Sequence, residues 1–172
     1  MNHLLALSTH HAIWQMERMP ELETVEHVDI ERYMGTWFEI AKLPQSFEKG
    51  LVGITATYSI LPNGKVRVVN RGYKRDFTGK ARTAVGKAVV VDAKTNAKLK
   101  VSFFWPFTGD YWILELGKDY EYAVVGDESR KYLWILSRTP QMDESTYNDL
   151  VKRAQTKGFD VSKLEKNPQR PR

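Results

Sequence analysis

The residue types that do covalent or metal chemistry are few in this chain and poorly placed for it. There is no Cys among the 172 residues, and all four histidines, His3, His10, His11 and His27, fall in the first 27 positions. Disulfides, thiolate metal sites and a thiol nucleophile are therefore excluded. A Ser hydrolase base or a haem axial ligand is usually a His, and the sequence beyond residue 27 contains none. No Gly-rich phosphate loop and no zinc-ligand spacing occurs, so neither a metal nor a cofactor is expected. The chemistry that remains is electrostatic. Between Lys65 and Lys100 eleven Lys and Arg face only Asp76 and Asp92, a local excess of nine positive charges in a chain whose net charge is +5. Such a field attracts an anionic partner: a phosphate head group, a membrane surface or a nucleic acid.

The elements that carry these residues are short and extended. From Met34 to Arg138, runs rich in Val, Ile, Thr and aromatics alternate with Gly, Pro, Asn and Asp, the signature of an all-β chain. Eight runs can be counted, at about 34–43, 52–61, 65–74, 80–91, 97–104, 110–117, 120–126 and 131–138. Pro62-Asn63-Gly64 predicts a tight hairpin with Asn-Gly in a two-residue turn. In the third run Val66, Val68, Asn70 and Gly72 share one face, and Lys65, Arg67, Val69, Arg71 and Tyr73 share the other. In the eighth run both faces are apolar, so something must cover the outside. That cover is a helix over about 143–157, with Asp143 at its N-cap, Met142 and Tyr147 at staple spacing, and Tyr147, Leu150, Val151 and Ala154 as its apolar stripe. One domain is expected over 28–166, preceded by a flexible extension, 1–27, and followed by a tail, 167–172, that frays. The patch Leu4-Leu5-Ala6-Leu7 has no basic residue ahead of it and does not read as a signal peptide. No run approaches the length of apolar residues needed to cross a bilayer as a helix.

Three stretches, in order and at the ends of the right strands, resemble the motifs of the lipocalins, and among them the bacterial outer-membrane lipocalins and apolipoprotein D. They are Tyr33-Met34-Gly35-Thr36-Trp37-Phe38-Glu39-Ile40-Ala41, Lys118-Asp119-Tyr120 (with Lys where the family usually has Thr), and Leu133-Trp134-Ile135-Leu136-Ser137-Arg138-Thr139-Pro140. The resemblance runs from about residue 28 to 166. It implies an eight-stranded antiparallel up-and-down barrel with the helix packed outside, enclosing space for one small ligand. Gly35, Trp37, Asp119, Tyr120 and Arg138 then close one end, with the Arg138 guanidinium stacked on the Trp37 indole.

The first strand starts at the closed end, so the connections near 44–51, 75–79, 105–109 and 127–130 must gather at the open one. They form a rim in which Phe47, Phe77, Trp105 and Phe107 are interleaved with Lys74, Arg75 and Lys80, a composition suited to lipid head groups or a membrane surface. Strand parity counted from Trp37 puts Glu39 and Ala41 inside, and parity from Arg138 puts Trp134 and Leu136 inside. The resemblance adds Thr57 and Trp112, with Leu114 beside it. Alternation adds Val68, Leu99, Val101 and Phe103. Glu39, an inward carboxylate, needs a partner, for which Arg138 is the candidate.

The expected function is binding, storage or transport of a hydrophobic small molecule. The resemblance implies fatty acids or lysophospholipids, no catalysis, residence in a bacterial cell envelope, peripheral contact with a membrane surface, and a monomer or homodimer. The sequence has no Cys for the acyl anchor that the bacterial members use. Two rivals are a lipid-modifying enzyme using the Glu39 carboxylate and a basic barrel that binds single-stranded nucleic acid.

Overall fold

The computed structural model describes residues 19–104 and 107–171. A short helix, α1 (Ile30–Tyr33), leads into β1 (Gly35–Lys42), and seven more long strands follow: β2 (Leu51–Ile60), β3 (Val66–Lys74), β4 (Ala81–Val90), β5 (Lys98–Phe104), β6 (Phe107–Leu116), β7 (Tyr122–Gly126) and β8 (Leu133–Ser137). Each pairs antiparallel with its chain neighbour, and β1 pairs with both β2 and β8, which closes the sheet into a barrel. This is the all-β architecture expected from the eight runs.

The β2–β3 hairpin differs in detail from the expected two-residue turn. Gly64 N–H donates to Leu61 C=O at 2.9 Å, and Gly64 takes a φ of +82° while Asn63 keeps an ordinary one. Pro62 fixes its own φ near the value that starts a type I turn, so the left-handed residue falls after the turn, as a glycine bulge, and not within it. The turn sets the register Tyr58↔Val68.

After β8 the chain forms α2 (Glu144–Thr156), whose buried Leu150 and Ala154 pack on Leu133, Ile135 and Val124 of the barrel's outer face. Asp143 occupies the N-cap position, but its side chain makes no capping hydrogen bond. The C-terminus is better defined: Phe159 N–H returns to Ala154 C=O, Gly158 N–H to Gln155 C=O, and Gly158 has φ +95°, a Schellman ending.

Of the extension expected over 1–27, residues 1–18 lie outside the described residues, and the remainder packs on the barrel. Leu22 is buried among the α2 cluster, and Val25 N–H donates to Ile113 C=O at 3.0 Å. At the other end, Asn167 and Gln169 of the segment expected as a tail bond to the barrel. Beyond Phe38↔Thr55, β1 and β2 separate, and β9 (Glu165–Lys166) pairs with β1 in their place. Asn167 then bridges the gap: its Nδ2 donates to Leu51 C=O, its Oδ1 accepts from Ile54 N–H, and its backbone N–H donates to Ile40 C=O. Gln169 Nε2 donates to the carbonyls of Glu39 and Ile54. Asn167→Ala leaves two backbone groups in the seam unpaired, and is expected to cost about 1–3 kcal/mol in chemical denaturation.

Candidate functional site

The three motif stretches meet at the closed end. Gly35, at φ +96°, turns the chain from α1 into β1, and a Cβ there would lie 3.2 Å from Arg138 Nη1. Trp37 is fully buried, its Nε1 donating to Tyr33 C=O at 2.9 Å. The Arg138 guanidinium carbon lies 3.8 Å from the Trp37 ring centroid. Its nitrogens donate to the carbonyls of Arg32, Thr36 and Tyr120. Asp119 and Tyr120 form the β6–β7 turn beside it, where the Tyr120 hydroxyl accepts from Asp29 N–H. With its donors occupied by carbonyls, Arg138 is not the partner of Glu39.

Above this plug the floor of the barrel is polar at one point. The Tyr111 hydroxyl shares 2.8 Å hydrogen bonds with those of Tyr33 and Tyr58, and burial raises all three phenols above their ordinary range. Leu99 packs beside them in the floor cluster, below the hollow.

The hollow itself has a volume of about 740 Å³. Glu39, Val68, Val101, Phe103, Trp134 and Leu136 line it, together with Tyr58 and Tyr111, which the sequence reading missed. Small residues among them leave room: Ala56, Gly72, Ala84 and Gly109 also face the hollow. At Gly86 a Cβ would meet the Phe103 ring at 2.8 Å, so glycine lets that ring lie against β4. The largely apolar lining with a few placed polar groups is that of a small-molecule pocket.

Four residues expected to face inward do not. Ala41 lies past a bulge between Glu39 and Ala41, which reverses parity, so it pairs with Ile135 under α2 and Lys42 turns inward beside Trp134. Thr57 points outward, its hydroxyl hydrogen-bonded to that of Thr36, because the hairpin register turns Ala56 and Tyr58 inward. Trp112 is also outside, covered by Lys98 Nζ at 4.1 Å from its ring. Leu114, two residues on, shares that outer face by ordinary alternation and packs against the α2 cluster.

The inward turn of Lys42 creates a buried ionic cluster. Lys42 Nζ lies 3.3 Å from Glu48 Oε2 and 3.8 Å from Glu39 Oε1. Glu48 also accepts hydrogen bonds from the Gln45 amide and, at 3.5 Å, from Trp134 Nε1. Glu39 Oε1 accepts no hydrogen bond. Burial, reinforced by the neighbouring Glu48, pushes the Glu39 carboxyl well above the usual carboxylate range against the pull of Lys42.

The hollow opens where the connections near 44–51, 75–79 and 127–130 gather. Phe47 is 60% exposed at the lip, against Tyr132 and Trp134. Lys74, Arg75 and Lys80 are exposed on the β3–β4 hairpin. Phe77 is held down on the outer wall, its ring against Gly53 and its carbonyl accepting from Arg170. Trp105 lies outside the described residues, and Phe107 opens β6 at the same end. Among the described residues no group of His, Asp and Glu is arranged to hold a metal ion.

The family model of the lipocalin-like domain matches residues 28–169. Temperature-induced lipocalin-1 of Arabidopsis thaliana is 45% identical over 163 residues, covering 90% of this chain and 86% of that protein. The outer membrane lipoprotein Blc of Escherichia coli K12 is 45% identical over 140 residues, covering 81% and 78%. Among solved structures, insecticyanin from the tobacco hornworm Manduca sexta superposes with a TM-score of 0.71 at 22% identity, over 88% of this chain and 86% of that one, a likeness of fold. Motifs, closed barrel and sequence relatives agree: the chain belongs to the lipocalin family, whose members bind small hydrophobic ligands.

Proposed function

We propose that this lipocalin binds and carries a single-chain lipid, a fatty acid or a lysophospholipid, taken tail-first with the charged head kept at the mouth, and that it works without catalysis. The observation that carries the reading is the hollow of about 740 Å³, apolar along most of its depth and open beside the basic β3–β4 hairpin. Val68, Val101, Phe103 and Leu136 contact the acyl chain, and Leu99 bounds its far end from below. Phe47, Lys74, Arg75 and Lys80 meet the head group or an anionic membrane surface. The similarity to an outer membrane lipoprotein supports a place in the cell envelope.

The test has two parts. Mass spectrometry of organic extracts of the native protein is expected to show a fatty acid or lysophospholipid in about equimolar amount. Replacing Lys74, Arg75 and Lys80 together by Gln is expected to weaken binding of an anionic lysophospholipid about tenfold at low salt, and less at high salt because those charges are solvent-exposed. An unchanged affinity at low salt would remove the hairpin from the site.

A further inference from the structure

The two sides of the mouth differ in charge. One side, built from β1, the β1–β2 turn and β8, places Glu39 and Glu48 in the cavity wall with Lys42 between them, and Asp127 lies at its rim. Two carboxyl groups therefore share one ammonium, while Asp127 accepts hydrogen bonds from the Ser129 hydroxyl and the Tyr132 N–H. The aromatic rings of Phe47, Tyr132 and Trp134 lie alongside, with centroids 6.0 to 6.5 Å apart. In the closed ring of eight strands β4 stands opposite β8. There Arg82 lines the cavity, paired with the inward-facing Gly72, and the hairpin cations Lys74, Arg75 and Lys80 stand next to it. None of these four is in a salt bridge among the described residues.

Glu39 is the decisive group. It is only 4% exposed, it faces the hollow, and its Oε1 accepts no hydrogen bond, with the nearest cation, Lys42 Nζ, 3.8 Å away. A buried carboxyl oxygen without a partner is costly, and the hollow is the place from which a partner can come. With both carboxyls ionised, the two glutamates would lack one positive charge against the single lysine. A ligand cation supplies it, and exposed aromatic surface beside the acids favours an ammonium with organic substituents.

We propose that Glu39, Glu48 and Trp134 form a subsite for the ammonium of a zwitterionic lysophospholipid, whose phosphate faces Arg82 and the β3–β4 hairpin across the mouth. The inference rests on the carrier reading above and names the head group it selects. Burial and the neighbouring Glu48 favour the protonated form of Glu39 in the empty cavity, and the ammonium takes the place of that proton. The titratable and charged groups around Glu39 are Lys42 on its own strand, Glu48 on the following turn and Tyr58 on β2; β8 contributes the neutral Leu136 and Trp134. Binding therefore releases up to one proton, and affinity rises with pH until Glu39 is ionised in the free protein. A ligand anion seated at the same group would show the opposite slope, because it needs the proton to stay.

Calorimetry on the delipidated full chain tests this with three probes of equal chain length: 1-myristoyl-lysophosphatidylethanolamine, whose ammonium has N–H groups to donate to Glu39 Oε1, 1-myristoyl-lysophosphatidic acid and myristate. The ethanolamine lipid is expected to bind about tenfold more tightly than the phosphatidic acid at pH 7 and to release protons when titrated in buffers of different ionisation enthalpy. Glu39→Gln is expected to abolish the proton release and most of the preference while leaving lysophosphatidic acid binding within twofold. Equal affinity for the two lysolipids, or a preference that survives Glu39→Gln, overturns the subsite and leaves the carrier reading standing. Failure of all three probes to bind overturns both. The proton count is measured on the unmodified protein, so it decides even if the variant does not fold.

Discussion

Trp37→Ala is expected to destabilise the barrel by roughly 3–5 kcal/mol, a large share of the ~5–15 kcal/mol that holds a domain of this size folded. Trp37 is fully buried, and its indole is sandwiched between the Arg138 guanidinium and the aromatic floor, with the Tyr33 ring centroid 5.0 Å away. Removing the ring leaves a cavity that α1 and the β6–β7 turn cannot fill, because both are fixed by hydrogen bonds to Arg138. The same change strips Arg138 of its stacking partner. Trp37→Phe keeps a ring in place and is expected to lose about half as much, since the Nε1 bond to Tyr33 C=O is lost while most of the packing remains. Urea unfolding of the three proteins measures this order. A loss below about 1 kcal/mol for Trp37→Ala would show that the plug contributes little to the fold.

Ala84→Trp is expected to reduce ligand affinity by at least a hundredfold with little loss of stability. Ala84 lines the hollow on β4, opposite inward-facing Asn70 on β3, and its methyl group is one of the small groups that leave the volume empty. An indole at this position occupies the path of an acyl chain without displacing packed atoms, so the usual cost of overpacking does not arise. The control is Ala88→Trp on the same strand. Ala88 is buried in the floor cluster, where a larger side chain must push its neighbours apart, and that variant is expected to unfold more readily. Fluorescence titration with a long-chain fatty acid probe, alongside thermal melts, separates blocking from unfolding. Retention of full affinity by Ala84→Trp would show that the ligand does not use the hollow.

Much of the barrel could be read from the chain because alternation and turn residues act locally. The third run shows this: Val66 and Val68 are buried inside and Arg67 and Arg71 are exposed, as their alternation requires. The two apolar faces of β8 likewise called for a covering helix, and α2 supplies it. The site residues were legible only up to the bulges. A bulge inserts one residue on one strand, and alternation carries no mark of it, so parity from Trp37 held at Glu39 and failed at Ala41. Leu114 on β6 is not such a case: it shares a face with Trp112, and the inward placement of Trp112, taken from the resemblance, carried it along. Thr57 is a different case, since its orientation depends on the type of the β2–β3 turn. A two-residue Asn63-Gly64 turn would pair Ser59 with Val68 and face Thr57 inward, whereas the glycine bulge pairs Tyr58 with Val68 and turns Thr57 out. The ordered C-terminal segment was not legible, because its polar residues bond to backbone groups that are exposed only where β1 and β2 part.

That last segment has a consequence for synthesis. The wall between β1 and β2 is completed by residues 165–170, which leave the ribosome after every other strand. Until they arrive, the carbonyls of Glu39, Ile40, Leu51 and Ile54 and the Ile54 amide lack the partners they find in the finished protein. Until those residues are made, the side of the vessel between β1 and β2 is unsealed, so the wall is finished by a segment that lies beyond the eight strands it joins.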